Sequence, residues 1–199
     1  MALVEYLEKR GFFANTIEGF SQQIPKQVYD LTMLLDNADI KTAMEIGFNA
    51  GHSAEIFLDT NPSLHLTSFD LGAHDYVAVA KEYIDKTYPS RHTLILGDST
   101  QTIPTYKQTT YDLIFIDGGH DYDIAKADLL NCRRFAHENT LVLIDDTMFT
   151  GGWTASFNIG PTQAWVEAIE QGIIVEEVRH DYQPGRGMSW GRYKDLPLQ

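Results

Sequence analysis

The 199-residue chain has one cysteine, Cys132, so no disulfide can form within it. A lone thiol fits a reducing compartment, and the expected location is cytoplasmic. Cys132 shares a helical pattern with Ala125, Leu129, Leu130 and Phe135, the setting of a core thiol rather than a nucleophile. No apolar run approaches the roughly 18 residues that a membrane helix needs. The opening MALVEYLEKR is charged throughout and lacks the apolar stretch of a signal peptide. Positive charge is scarce: 15 Lys and Arg stand against 28 Asp and Glu, a net charge of −13. That balance repels nucleic-acid backbones and anionic membranes, so neither is expected as a partner. Two nucleotide fingerprints are also missing. There is no GxxxxGK[ST], and the one glycine loop lacks the middle glycine of GxGxxG. No repeat, linker or low-complexity segment interrupts the chain. Residues 1–199 therefore read as one domain, with an N-terminal helical cap (1–40), a cofactor-binding core (41–150) and a helix plus β-hairpin (151–199).

What is present is a regular alternation. An apolar run, Thr42–Gly47, turns at Gly47-Phe48-Asn49-Ala50-Gly51 and continues as a helix from His52 to Asp59. Further strands are expected at Leu64–Phe69, Thr93–Leu96, Tyr111–Ile116 and Thr140–Ile144. Helices are expected at Tyr76–Thr87 and Asp121–Phe135. Before this core, a helix around Val4–Glu8 is broken by Gly11. A second opens at Pro25 with Val28, Leu31, Leu34 and Leu35 on one face. After it, Pro161–Gln171 reads as a helix, and Ile173–Tyr182 and Met188–Tyr193 as a hairpin around residues 183–187. The runs LIFI and LVLI suit strands buried on both faces. The fold class is α/β: a Rossmann-like, doubly wound, seven-stranded, mostly parallel sheet with an antiparallel C-terminal hairpin strand.

Each of the first five strands ends in or near an acid: Glu45, Asp70, Asp98, Asp117 and the pair Asp145-Asp146. Carboxyl ends of parallel strands share one rim, where open α/β sheets bind ligands. Any one of these acids has a plainer reading, because Asp caps helices and opens turns. Asp98, just before Ser99 and a short helical turn, suits a cap best. Glu45 stands two residues before the first glycine, a poor neighbour for a pyrophosphate and a good one for a cationic or hydroxyl-bearing ligand. Asp70 lies where an acid bonds ribose hydroxyls in nucleoside cofactors.

In order, MEIGFNAGHSA, SFDLG, GDS, YDLIFIDGGH and LVLIDDT resemble class I S-adenosylmethionine-dependent methyltransferases over about residues 42–150. The nearest likeness is to metal-dependent O-methyltransferases of the macrocin (sugar) and catechol or caffeoyl-CoA types. The resemblance implies that the glycine loop wraps the methionine part, Asp70 holds the ribose, and Asp98-Ser99 approach the adenine. Carried over, the cofactor residues are Glu45, Gly47, Phe48, Asn49, Gly51, His52, Ser53, Asp70, Leu71, Gly97, Asp98, Ser99 and Asp117. It also implies a metal, Mg²⁺ or a similar divalent cation, on Asp117, Asp145 and Asp146. IDDTMF resembles the D-N-T-x-W form of the plant-type enzymes, with Asp146 where they have Asn. Asp117-Gly118-Gly119-His120 resembles D-x-x-H, which implies His120 as general base beside Asp117 in the catalytic set.

Oxygen ligands suit Mg²⁺, and a bound cation eases deprotonation of a hydroxyl that His120 can complete near neutral pH. The plainer alternatives are a turn at Asp145-Asp146 and a helix-capping or backbone-bonded His120. His52 reads as a loop or cofactor contact, and His74 borders the adenosine side. Phe149, Trp153, Phe157 and Tyr182 form either an aromatic acceptor wall, with Gly151-Gly152 as a lid, or ordinary core. Asn15–Ile24 is a pocket cap or a surface loop, and the resemblance implies that Gln22, Gln23 and Lys26 close the site from the N-terminal side. The expected activity is Mg²⁺-dependent O-methylation of a small-molecule hydroxyl, with a homo-oligomer left open. The alternatives are a metal-independent O- or N-methyltransferase, a non-catalytic S-adenosylmethionine- or nucleotide-binding module, and, furthest off, an NAD enzyme.

Overall fold

The structure, a computed structural model, describes residues 2–19, 24–107, 110–150, 156–182, 185–194 and 196. The chain divides into two compact units, residues 1–97 and 98–199. Among the described residues, no helix is long and apolar enough to cross a membrane.

In the first unit, α1 (Leu3–Glu8) and α2 (Pro25–Leu35) precede an alternating series. That series is β1 (Thr42–Ile46), α3 (His52–Thr60), β2 (His65–Asp70), α4 (Asp75–Thr87) and β3 (His92–Leu96). The strands are parallel in the order β3-β2-β1, with Glu45 opposite Ser68 and Asp70 opposite Leu96. Pro25 opens α2 at a position where a missing N–H is no loss. The buried face of α2 is Gln27, Asp30, Leu31 and Leu35. It is more polar than the expected stripe, and Val28 and Leu34 are only half-buried. Asp30 is tolerated there because Lys26 Nζ stands 2.7 Å from its carboxylate. α1 packs on α4 through Tyr6 and Tyr83, whose rings lie 5.3 Å apart.

The second unit holds α5 (Ser99–Thr105), β4 (Tyr111–Ile116), α6 (Tyr122–Cys132) and a 3-10 turn (Arg133–Phe135). It continues with β5 (Ala136–Asp145), α7 (Ser156–Glu170), β6 (Ile174–Tyr182) and β7 (Arg186–Tyr193). The strand order is β4-β5-β7-β6; β4 and β5 are parallel, and β7 runs antiparallel to both β5 and β6. Leu113, Ile114, Phe115, Val142 and Leu143 are wholly buried, as strands covered on both faces require. Cys132 is a core thiol, and burial pushes its pKa well above the usual range.

β5 begins at Ala136 rather than Thr140, α6 gives way to the 3-10 turn after Cys132, and two boundaries nearer the candidate site also differ from expectation. α7 begins at Ser156, five residues before Pro161, and Pro161 lies inside it. A Cβ on Gly160 would lie 2.2 Å from the His120 carbonyl oxygen, so α7 packs main chain against main chain at the start of α6. That tertiary contact outweighs the one helical bond Pro161 removes, and Thr162 Oγ1 donates to the Asn158 carbonyl at 2.6 Å. The hairpin is also tighter than the 183–187 loop expected. Tyr182 pairs with Arg186, so Arg186 and Gly187 belong to β7.

A single amide ties the α2–β1 connection to the end of α3. Buried Asn61 donates from Nδ2 to the carbonyls of Leu35 (3.2 Å) and Ile40 (2.9 Å) and accepts from Ser63 N–H at 3.0 Å. Asn61→Ala leaves those groups unsatisfied and is expected to cost about 2 kcal/mol in urea unfolding. A loss below about 0.5 kcal/mol would remove this latch from the account.

Candidate active site

In the first unit, β1 delivers the chain into the glycine loop. Gly51 sits at φ +77° as the residue capping α3, and a Cβ there would lie 3.1 Å from Phe48 Cζ. Its N–H donates to the Phe48 carbonyl at 2.7 Å, closing the turn. The loop is fastened to β2 by Asp70. One carboxylate oxygen accepts from Asn49 N–H and the other from Gly72 N–H, both at 2.7 Å. A carboxylate has about four lone-pair sites, so Asp70 keeps capacity for hydroxyl donors. Gly97 N–H donates to the Asp70 carbonyl at 2.8 Å, and Leu71 beside it is largely exposed.

Glu45 faces inward. It is wholly buried and accepts from Ser53 Oγ and Ser68 Oγ. Burial, partly offset by the two serines, raises its pKa to about 7. Ser68 Oγ also lies 3.0 Å from His92 Nε2, and the His92 ring stacks on Phe48 at 5.0 Å. Burial holds His92 neutral, at about 4. His52 is likewise buried and lowered to about 4. Glu45, Ser53, Ser68 and His92 thus form a polar core beneath the loop. Ser68 and His92 escape a motif search, although an acid inside a buried strand signals that polar partners face it. On the outer side, Asn49 Nδ2 donates to the Glu18 carbonyl, and Glu18 pairs with His74 at 3.1 Å. The His74 ring stacks on Tyr76. The segment before α2 is therefore strapped to the loop through Glu18.

In the second unit, Asp98 caps α5, accepting from Thr100 N–H at 2.9 Å, and Ser99 is the first helical residue. One cleft is lined by Asp117, Gly118, Gly119 and His120 after β4, Asp145 and Asp146 at the end of β5, and Pro161 of α7. Asp146 is buried at φ +56°, a left-handed backbone that Asp tolerates better than most residues. Strand β7 holds that turn. Thr147 N–H donates to the Gly187 carbonyl at 3.1 Å, and Thr147 Oγ1 and Ser189 Oγ are 2.9 Å apart. His120 Nε2 lies 3.1 Å from Asp146 Oδ2, and the imidazole reaches the Phe157 ring at 6.1 Å. Asp146 Oδ1 is buried with no hydrogen-bond partner among the described residues.

Three carboxylates and a buried unpartnered oxygen are the right chemistry for a hard divalent cation. Their side chains are less convergent: among the described residues, no three His, Cys, Asp or Glu side chains stand close enough together to hold a metal. Phe149 hangs from Asp181, which accepts its N–H at 3.0 Å, and Phe157 is half-buried beside His120. Tyr182 is buried core rather than wall. Lys26 is engaged with Asp30. Gln22, Gln23, Gly151, Gly152 and Trp153 lie outside the described residues.

A family model described as a methyltransferase domain matches residues 44–147, just over half the chain. No curated protein matches. Among solved structures, an O-methyltransferase from Bacillus cereus in complex with S-adenosylhomocysteine superposes with a TM-score of 0.73 at 18% identity. The match covers 96% of this chain and 90% of that one. An S-adenosylhomocysteine-bound methyltransferase from Podospora anserina gives 0.72 at 20% identity, over 97% and 88%. A Streptomyces achromogenes O-methyltransferase involved in tomaymycin synthesis, in complex with S-adenosylmethionine, gives 0.70 at 12%, over 96% and 87%. Such likeness bears out the architecture: a Rossmann-like α/β fold of seven strands, mostly parallel, ending in antiparallel C-terminal strands.

The buried acid makes a pH prediction. Glu45 is neutral in the fold below about 7 and ionised in the unfolded chain above its ordinary value of 4.5. Its contribution to stability is present below 4.5 and lost as pH rises through 7. The melting temperature of Glu45→Gln, relative to the native chain, should therefore climb between pH 5 and 8, on the order of 5 °C. A constant difference across that range would show that Glu45 does not hold a proton there.

Proposed function

The chain belongs to the methyltransferase-domain family, and from that premise we propose that it transfers the methyl group of S-adenosylmethionine to a hydroxyl of a small molecule, with Mg²⁺ or a similar cation assisting. The observation that carries this reading is the His120–Asp146 pair in a cleft also lined by Asp117 and Asp145. In the first unit, the turn at Gly47–Gly51 and the carboxylate of Asp70 are the groups to hold S-adenosylmethionine, Asp70 through the ribose hydroxyls. Leu71, Gly97, Asp98 and Ser99 would border the adenine. Glu45 and Ser53, hydrogen-bonded to each other beneath the loop, belong to the same cofactor-binding set, and His92 supports them through Ser68.

The reaction needs one proton removed and one bond exchanged. His120 accepts the hydroxyl proton on its imidazole, and Asp146, 3.1 Å from Nε2, stabilises the resulting cation. The acceptor oxygen forms a bond to the methyl carbon as the carbon–sulfur bond breaks, leaving an ether and S-adenosylhomocysteine. A divalent cation on Asp117, Asp145 and Asp146 would supply a lowered hydroxyl pKa. The rest of the chain's work is positioning, through the clamped turn at Asp146 and the packing of α7 on the His120 main chain. We read residues 1–199 as one catalytic domain, cytoplasmic, with a small-molecule acceptor and no nucleic-acid or membrane partner.

A metal-independent variant of the same transfer is favoured by one observation: His120 and Asp146 already form a base and its stabiliser, while the three acids do not converge. Chelation separates the two. Under the metal-assisted reading, EDTA abolishes S-adenosylhomocysteine release, and added Mg²⁺ restores it. Asp145→Ala should lower turnover by roughly 100-fold or more while S-adenosylmethionine affinity by calorimetry stays within about twofold. Turnover indifferent to both EDTA and Asp145→Ala would leave the metal-independent variant standing.

A further inference from the structure

Arg186 sits at the first position of β7, where the tight hairpin fixes its main chain opposite Tyr182. Two residues further along the strand, Met188 pairs with Asp145. The Arg186 guanidinium lies 5.3 Å from the centroid of the Phe157 ring, and that ring is 6.1 Å from the His120 imidazole. Arg186 is therefore one aromatic ring away from the proposed base.

Its electrostatic setting is unlike that of its neighbours. Arg179, over Phe149 at 3.9 Å, is neutralised by Glu176 at 2.6 Å, and Arg192 pairs with Glu177 at 2.7 Å. Arg91 is spent on main-chain carbonyls. Arg186 makes neither an ion pair nor a hydrogen bond to a protein acceptor among the described residues. Among the described residues this is a half-buried cation without a counter-charge, in a chain of net charge −13. A guanidinium presents a planar fork that matches a carboxylate with two parallel hydrogen bonds. Phe157, over whose ring the guanidinium lies, supplies apolar surface beside it against which an aromatic ring can pack.

We propose that Arg186 selects the acceptor: a hydroxylated aromatic acid whose carboxylate docks on its guanidinium, with the ring against Phe157 and the hydroxyl toward His120. The proposal rests on the O-methyltransferase reading of this cleft and adds the class of acceptor. A single carboxylate suits the site because one cation, unpaired among the described residues, balances one charge. A dianion such as a phosphate monoester would face the surplus negative charge of Asp117, Asp145 and Asp146.

The test uses two probes that differ in one charge, 3,4-dihydroxybenzoate and 3,4-dihydroxybenzyl alcohol. Their binding is measured by calorimetry with S-adenosylhomocysteine and Mg²⁺ present, and their methylation by product release. The native protein should bind the acid at least about tenfold more tightly than the alcohol. Arg186→Gln should erase that preference, weakening the acid about tenfold or more and moving the alcohol by less than about twofold. Arg186→Lys should restore part of it. Where turnover is seen, the change should fall on KM rather than kcat. Equal affinity for the two probes, binding of neither, or a preference that survives in Arg186→Gln overturns the proposal. A charge-dependent preference without any methyl transfer would instead keep the carboxylate site and refute the methyltransferase reading of the cleft.

Discussion

The turn after β5 is the constraint on which the candidate chemistry depends. Asp146 takes a left-handed backbone, costing of order 1–3 kcal/mol, and places its carboxylate out of water. Neither persists unless neighbours over-determine it. Strand β7 does this by accepting the Thr147 N–H at Gly187, by meeting Thr147 with Ser189, and by having no Cβ at Gly187, where one would lie 2.2 Å from the Thr147 carbonyl oxygen. The C-terminal hairpin is therefore part of the site. It fixes the acid that faces His120, and its first residue is Arg186.

His120 is held from the other side. α7 meets the start of α6 main chain to main chain at Gly160, which is why the helix runs through Pro161 instead of starting there. The two supports converge on His120 and Asp146, 3.1 Å apart. The first unit solves a different problem. There the glycine loop is held in shape from two sides. Asp70 grips the loop from one end with two main-chain donors, and Glu45 supports it from below through Ser53.

Much of this was legible in the residues. The alternating strands and helices, the glycine turn, Asp70 at the end of β2 and the acids after β4 and β5 all follow from local pattern, because periodicity and turn chemistry are local. Asp98 as a cap was also legible, since capping involves neighbours in sequence. What escaped is long-range. Nothing near Glu45 announces Ser68, which bonds it, or His92, which bonds Ser68, and these meet only when three parallel strands come into register. Nothing near Pro161 announces the approach of His120. Arg186 reads as part of a loop until the pairing with Tyr182 draws it into β7.

His120 is proposed to take the acceptor's proton, and the pH dependence of kcat tests that most directly. With any accepted hydroxyl substrate, the native protein should show a rate that rises as one group loses a proton. His120→Ala should lower kcat by roughly 100-fold or more and abolish that limb, with S-adenosylmethionine affinity unchanged within about twofold. A His120→Ala protein that keeps both the rate and the limb would contradict the account at its centre.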